Sequence, residues 1–157
     1  MLVLIDKSMN KNNRCIGELL NEGQLKLEKC GNSNANQESE LLLSYLLNRN
    51  KFYLYLNPNL PVTSKKIQQY DQWIHQRSKG IPLQYITGFQ NFMGLDFKVT
   101  EDVLIPRPET EILVEKIIQL INTLPKKDSY LFLDIGVGSG VIPVTVCNHF
   151  QKTDKDG

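Results

Sequence analysis

The sequence predicts an α+β chain: a helical N-terminal unit, a β-hairpin, and the opening of an α/β domain. Three observations predict it. Apolar residues recur at helical spacing up to Gly80. They alternate at period two around Leu95, Phe97 and Val99. An apolar segment, Tyr130 to Ile135, then runs into the glycine-rich turn Gly136-Val137-Gly138-Ser139-Gly140.

In the helical unit, Ile16, Leu19, Leu20, Gly23 and Leu27 follow i, i+3, i+4, i+7, i+11, one face of an amphipathic helix that Gly31 can stop. Residues 32–36 read as a polar connector. Leu41, Leu42, Tyr45 and Leu46 form a second apolar stripe, and Lys51 to Leu56 a further helical turn or two. Residues 57–61 form a loop. Thr63 or Ser64 caps a helix whose face is Ile67, Tyr70, Trp73 and Ile74, which are expected in a core. Gly80-Ile81-Pro82 ends it, because Gly80 can turn left-handed and Pro82 cannot continue a helix.

Leu95, Phe97 and Val99 alternate with Asp96, Lys98 and Thr100, a half-buried strand. Gln84 to Phe92 is its expected partner, with Met93-Gly94 at the turn. Pro108 suits the first position of a helix, and Glu109 and Glu111 suit its positive end. Its apolar face is Leu113, Val114, Ile117, Ile118 and Ile121. Tyr130 to Ile135 is expected to be a buried strand, and Pro143 requires the helix after the turn to begin near Ser139 or Gly140.

Composition narrows the function classes. The chain has 157 residues, 41% hydrophobic and 22% charged, which excludes wholesale disorder. Its net charge of +1 supplies no overall field for nucleic acid or an anionic membrane. No apolar run approaches the ~20 residues of a membrane span, and residues 1–5 lack the basic flank of a secretory signal. Cys15, Cys30 and Cys147 are widely spaced, so unpaired thiols in a reducing, cytoplasmic setting are expected. His75 and His149 have no metal-ligating neighbour at a known spacing, and no metal site is expected.

The glycine turn carries the chemistry. A strand that delivers the chain to glycines and a helix N-terminus places a ligand beside free N–H groups. A phosphate loop needs Gly-Lys-Ser/Thr, and no Lys follows Gly140. A dinucleotide fingerprint needs its third glycine at position 141, which is Val141. The remaining ligand reading is S-adenosylmethionine. Asp134 stands before the turn, where a carboxylate would repel a pyrophosphate but tolerates an ammonium and a sulfonium. A purely structural glycine turn is the other reading.

Four strings occur in order: Gly80-Ile81-Pro82-Leu83-Gln84-Tyr85-Ile86-Thr87-Gly88, Gly94-Leu95-Asp96-Phe97-Lys98-Val99, Leu104-Ile105-Pro106-Arg107-Pro108-Glu109-Thr110-Glu111, and Leu133-Asp134-Ile135-Gly136-Val137-Gly138-Ser139-Gly140. Together they resemble the HemK/PrmC family of peptide chain release factor N5-glutamine methyltransferases over about residues 13–150. The Pro-Arg-Pro-Glu-Thr-Glu string is the specific part, since many class I methyltransferases share the glycine pentad.

The resemblance implies a helical release-factor docking domain over 1–80, a β-hairpin linker over 81–107, and the start of a Rossmann-like methyltransferase domain over 108–157. It implies methyl transfer from S-adenosylmethionine to the glutamine amide nitrogen of the Gly-Gly-Gln motif in class I release factors. A monomer that engages neither nucleic acid nor membrane is expected. Asp134, Gly136, Val137, Gly138, Ser139 and Gly140 map onto the cofactor site, and Arg107 and Pro108 onto the pocket lining.

One feature of the family is missing. The family's Asn-Pro-Pro-Tyr motif, which holds the acceptor amide, does not occur here; the lone Asn-Pro is Asn57-Pro58. No catalytic residue is therefore assigned, and this chain alone is expected to be inactive, as a truncated product would be. A partner-docking module and a ribosomal-protein glutamine methyltransferase are the alternative readings. An adenine-specific DNA methyltransferase fits less well, lacking the helical domain.

Overall fold

The computed structural model describes residues 14–125 and 131–153, with the side chains of 152 and 153 left aside. Expectations for residues 1–12, for Lys126-Lys127 and Tyr130, and for the tail beyond 153 lie outside the described residues. Contacts divide the chain into two units, with the boundary between Thr87 and Gly88.

The first unit is helical: α1 (Ile16–Glu28), α2 (Ala35–Leu47), α3 (Lys51–Leu56), α4 (Ser64–Ser78) and α5 (Leu83–Thr87). The α1 stripe buries Ile16, Leu19, Gly23 and Leu27, as its spacing requires. The helix stops as the glycine predicts: Gly31 takes a φ of +79°, and the Asn32 N–H returns to the Leu27 carbonyl at 3.2 Å. Helix α4 buries Ile67, Tyr70 and Ile74, while Trp73 lies half-buried against the Tyr45 ring. It ends with Gly80 at φ +89°, and the Ile81 N–H reaches back to the Gln76 carbonyl at 3.3 Å.

Two local expectations are corrected here. The buried residues of α2 are Ala35, Ser39, Glu40, Leu42 and Leu43, with Leu46 half-buried, and Leu41 and Tyr45 are exposed. Leucines at five positions from 41 to 47 fit two helical phases, and packing against α1 and α4 selected one. Residues 84–88 are not strand. Pro82 starts a short helix as well as ending α4, since its carbonyl accepts from the Tyr85 and Ile86 N–H groups at 3.1 and 3.2 Å. The Thr87 hydroxyl closes α5 on the Leu83 carbonyl at 3.1 Å.

The close approach of α1 to α4 has a specific cause. A Cβ on Gly23 would stand 2.3 Å from the Tyr70 hydroxyl. That hydroxyl is fully buried and donates to the Ser39 carbonyl at 3.2 Å, tying α4 to α2. Burial pushes the Tyr70 phenol far above its usual range, so it stays a neutral donor. Arg14 joins Glu22 of α1 to Asp71 of α4.

The second unit holds β1 (Phe89–Phe92), β2 (Leu95–Lys98), α6 (Pro108–Thr123) and α7 (Val141–Thr153). The strands pair antiparallel, with Phe92 opposite Leu95 across a two-residue turn. Met93 at φ +48° and Gly94 at φ +77° give that turn its left-handed geometry. Phe92, Phe97, Val114, Val141 and Val146 form the core. Leu113 was expected on the apolar face of α6 but is exposed, because Val114, Ile117, Ile118 and Ile121 already fill the side facing that core.

The segment 131–135 departs most from expectation. It belongs to no ladder among the described residues, and it is not buried. Its exposure alternates: Leu131 99%, Phe132 38%, Leu133 77%, Asp134 partly covered, Ile135 88%. That period of two marks an extended chain with Phe132 and Asp134 turned toward the protein. Burial of the outer face requires strands alongside, and the described residues supply none.

Candidate functional site

The glycine turn lies between that extended segment and α7. Gly136, Gly138 and Gly140 adopt φ values of +82°, +53° and +77°. Each is in the region that side chains avoid, so the three glycines are required by backbone conformation and not by space, since a Cβ at any of them would meet nothing closer than 3.8 Å. Around Gly136 nothing lies within 4 Å of where a Cβ would be, leaving an open approach to the backbone. The turn closes through the Gly140 N–H on the Val137 carbonyl at 2.8 Å, and α7 begins with the Val144 N–H on the Gly140 carbonyl at 3.1 Å. Starting at Val141 puts Pro143 in the first turn, where its missing N–H costs no helical bond.

Asp134 sits two residues before the turn. One of its carboxylate oxygens, Oδ2, is buried and has no hydrogen-bond partner among the described residues. Ser139 is half-buried and Val137 exposed. An open backbone cradle with an unmatched carboxylate beside it fits a cationic nucleoside better than a diphosphate.

Arg107 is the N-cap of α6, with Pro108 in the first turn as expected. The guanidinium is exposed and forms no hydrogen bond or ion pair with another described residue. The rigid Pro-Arg-Pro segment therefore presents a free cation. Glu109 is exposed, as a helix-end charge would be. Glu111 does more: its Oε1 accepts the Met93 N–H at 3.0 Å. Sequence reasoning missed this partner, and a non-glycine residue in the hairpin turn was its one local signal.

Among the described residues the helical unit presents a depression of about 490 Å³ at the loops following α1 and α4, lined in part by Glu38 and Arg77, which pair with each other. Its cysteines and Cys147 are free thiols. Among the described residues no cluster of His, Cys, Asp or Glu could hold a metal, and no helix is long and apolar enough to cross a membrane.

A helical domain, a hairpin, and an extended segment entering a left-handed glycine turn and helix define an N-terminal domain followed by the start of a methyltransferase domain. Comparison with known proteins agrees. Residues 18–88 match the family model of the PrmC N-terminal domain. The chain is 40% identical over 126 residues to the release factor glutamine methyltransferase of Koribacter versatilis, covering 80% of this chain and 44% of that protein. It is 38% identical over 118 residues to that of Clostridium acetobutylicum, covering 75% and 40%. With that of Shewanella oneidensis it shares 35% over 134 residues, covering 85% and 45%. The chain spans less than half the length of these relatives. Over that span the chain is similar to proteins named release factor glutamine methyltransferase, and its helical unit matches the PrmC N-terminal domain.

Proposed function

We propose that this sequence serves a protein-glutamine N5-methyltransferase acting on the Gly-Gly-Gln motif of class I release factors. The observation that carries the reading is the similarity to proteins of that name over 80–85% of this chain, together with the match of residues 18–88 to the PrmC N-terminal domain.

In this reading S-adenosylmethionine supplies an electrophilic methyl group on its sulfonium. The backbone of Gly136, Val137, Gly138, Ser139 and Gly140 would receive the cofactor, and Asp134 would place negative charge near its cationic end. Arg107 and Pro108 line the approach, with the guanidinium available to a carboxylate or a backbone carbonyl. The helical unit, bounded near residues 80–87, docks the release factor, and the hairpin links it to the catalytic domain.

A glutamine amide nitrogen is a weak nucleophile, because its lone pair is delocalised into the carbonyl. Positioning of that nitrogen, rather than a strong base, lowers the barrier. Residues 1–157 hold no Asn-Pro-Pro-Tyr to supply the acceptors, so they contribute docking and part of the cofactor site but do not transfer the methyl group alone. The setting is the cytoplasm, without nucleic acid or membrane.

The test uses the full-length gene product with labelled S-adenosylmethionine and three acceptors: a release factor, ribosomal proteins and DNA. Label on the release-factor glutamine is expected. Label on a ribosomal protein or DNA instead overturns the substrate assignment.

A further inference from the structure

A second depression of the helical unit, about 250 Å³, lies where the start of α1, the α2–α3 connection and the loop before α4 meet. Its lining is divided. Ile16, Leu47, Tyr53 and Leu60 supply an apolar side, while Arg49 and Lys66 supply two cations. Among the described residues no carboxylate lines it. The Arg49 guanidinium stands 5.3 Å from the centre of the Tyr53 ring, and its Nη1 donates to the Asn48 carbonyl at 3.2 Å. Stacking steadies that guanidinium and leaves the rest of its fork to a ligand.

Lys66 is the odd cation of this unit. Three described Lys and Arg residues in it are half-buried: Arg14, Lys66 and Arg77. Arg14 pairs with Glu22 and Asp71, and Arg77 pairs with Glu38, but Lys66 pairs with no described residue. Its position adds to the imbalance. Lys66 stands in the first turn of α4 beside Lys65, with no acidic residue in that turn and no side-chain cap from Thr63. A helix start is the positive end of its dipole, where a cation is unfavourable. Half-buried positive charge thus faces an apolar hollow without a counter-charge.

We propose that this depression receives an acidic side chain flanked by an apolar one, presented by the partner protein that the helical unit docks. The proposal rests on the docking reading above, in which that partner is the release factor. The carboxylate meets Lys66 and the open edge of the Arg49 guanidinium, and the apolar neighbour covers Ile16, Leu47 and Leu60. A nucleic-acid backbone would engage the same cations. It has nothing to set against the apolar side, however, and the chain's net charge of +1 supplies no wider field for it. The unmatched lysine is a burden on the free protein that the bound state relieves.

The test measures binding of a release factor to the full-length gene product and to its Lys66→Gln, Lys66→Arg and Arg49→Gln variants, by calorimetry at low and high ionic strength, with thermal melts of each free protein. Lys66→Gln is expected to keep or raise the melting temperature and to weaken binding by about threefold to fivefold at low ionic strength, less at high. Lys66→Arg should restore affinity, and Arg49→Gln should weaken it to a similar degree. A Leu-Glu-Leu peptide blocked at both ends should compete with the release factor, and its Leu-Gln-Leu counterpart should not. Unchanged affinity in both glutamine variants, a loss indifferent to ionic strength, or competition by an oligonucleotide in place of the acidic peptide overturns the proposal while leaving docking intact. A lower melting temperature in Lys66→Gln assigns the lysine to the fold and overturns it too. Failure of the unsubstituted protein to bind a release factor overturns the docking reading and this proposal with it.

Discussion

The Met93 backbone N–H donates to Oε1 of Glu111 at 3.0 Å, joining the tip of the hairpin to the first turn of α6. Met93 holds a left-handed conformation that methionine rarely adopts, and its side chain packs on the same core as α6. Three constraints thus meet on one turn residue. Glu111→Ala should destabilise the second unit by about 1–2 kcal/mol and expose the Met93 amide to exchange. Glu111→Gln, which keeps an acceptor oxygen, should fall between. Amide exchange by NMR together with urea unfolding checks both effects, and an unchanged Met93 exchange rate in Glu111→Ala would remove the link.

Gly23→Ala puts a methyl where the Tyr70 hydroxyl already is, and that tyrosine is held by Ser39. The expected loss is about 1–3 kcal/mol from overpacking. Adding Tyr70→Phe should recover only part of it. The ring carbon Tyr70 Cζ at 3.0 Å and Ile74 Cδ1 at 3.2 Å would still crowd the new methyl. A double-mutant cycle from thermal melts measures the coupling, and strict additivity would show that the crowding lies elsewhere.

Glu38 receives the Arg77 Nε at 2.6 Å and the Arg77 Nη2 at 3.0 Å. Burial alone would raise its carboxyl, but Arg77 and the Asn32 amide outweigh burial and hold it below the usual carboxylate range. Glu38 gives up its proton more readily folded than unfolded. Its contribution is therefore complete above the unfolded carboxylate value, about 4.3, and is lost as pH falls through the lower folded value. Glu38→Gln should flatten the acid limb of the stability profile and leave its slope near pH 7 unchanged. Unfolding curves between pH 2 and 7 decide this, and parallel acid limbs in the two proteins would count against the assignment.

Leu133 is 77% exposed in this chain. Leu133→Lys should shift the stability of residues 1–157 by less than about 0.5 kcal/mol. Thermal melts check this, and a loss well above that figure would show that the Leu133 side chain is covered.

Much of the fold was legible in the residues because the signals are local. The α1 stripe, the left-handed stops at Gly31 and Gly80, the Met93-Gly94 turn and Pro108 at the head of α6 each depend on backbone preference or on a few neighbouring side chains. The glycine turn is legible for the same reason, since three residues at positive φ admit little but glycine. The phase of α2 was not legible. Leu41, Leu42, Leu43, Leu46 and Leu47 form an almost unbroken run, and only the neighbouring helices decide which of them turn inward.

The sequence by itself determined the helical unit, the hairpin and its turn, and the left-handed glycine bend with an acid before it, since those follow from periodicity and dihedral preference along the chain. Tertiary structure alone decided that Glu111 holds the hairpin tip, that Gly23 admits the Tyr70 hydroxyl, and that Thr145 and Asp134 are left with unmatched buried atoms. Each of those facts involves groups far apart in the sequence. Burial and hydrogen bonding across such separations depend on packing, which no local pattern encodes.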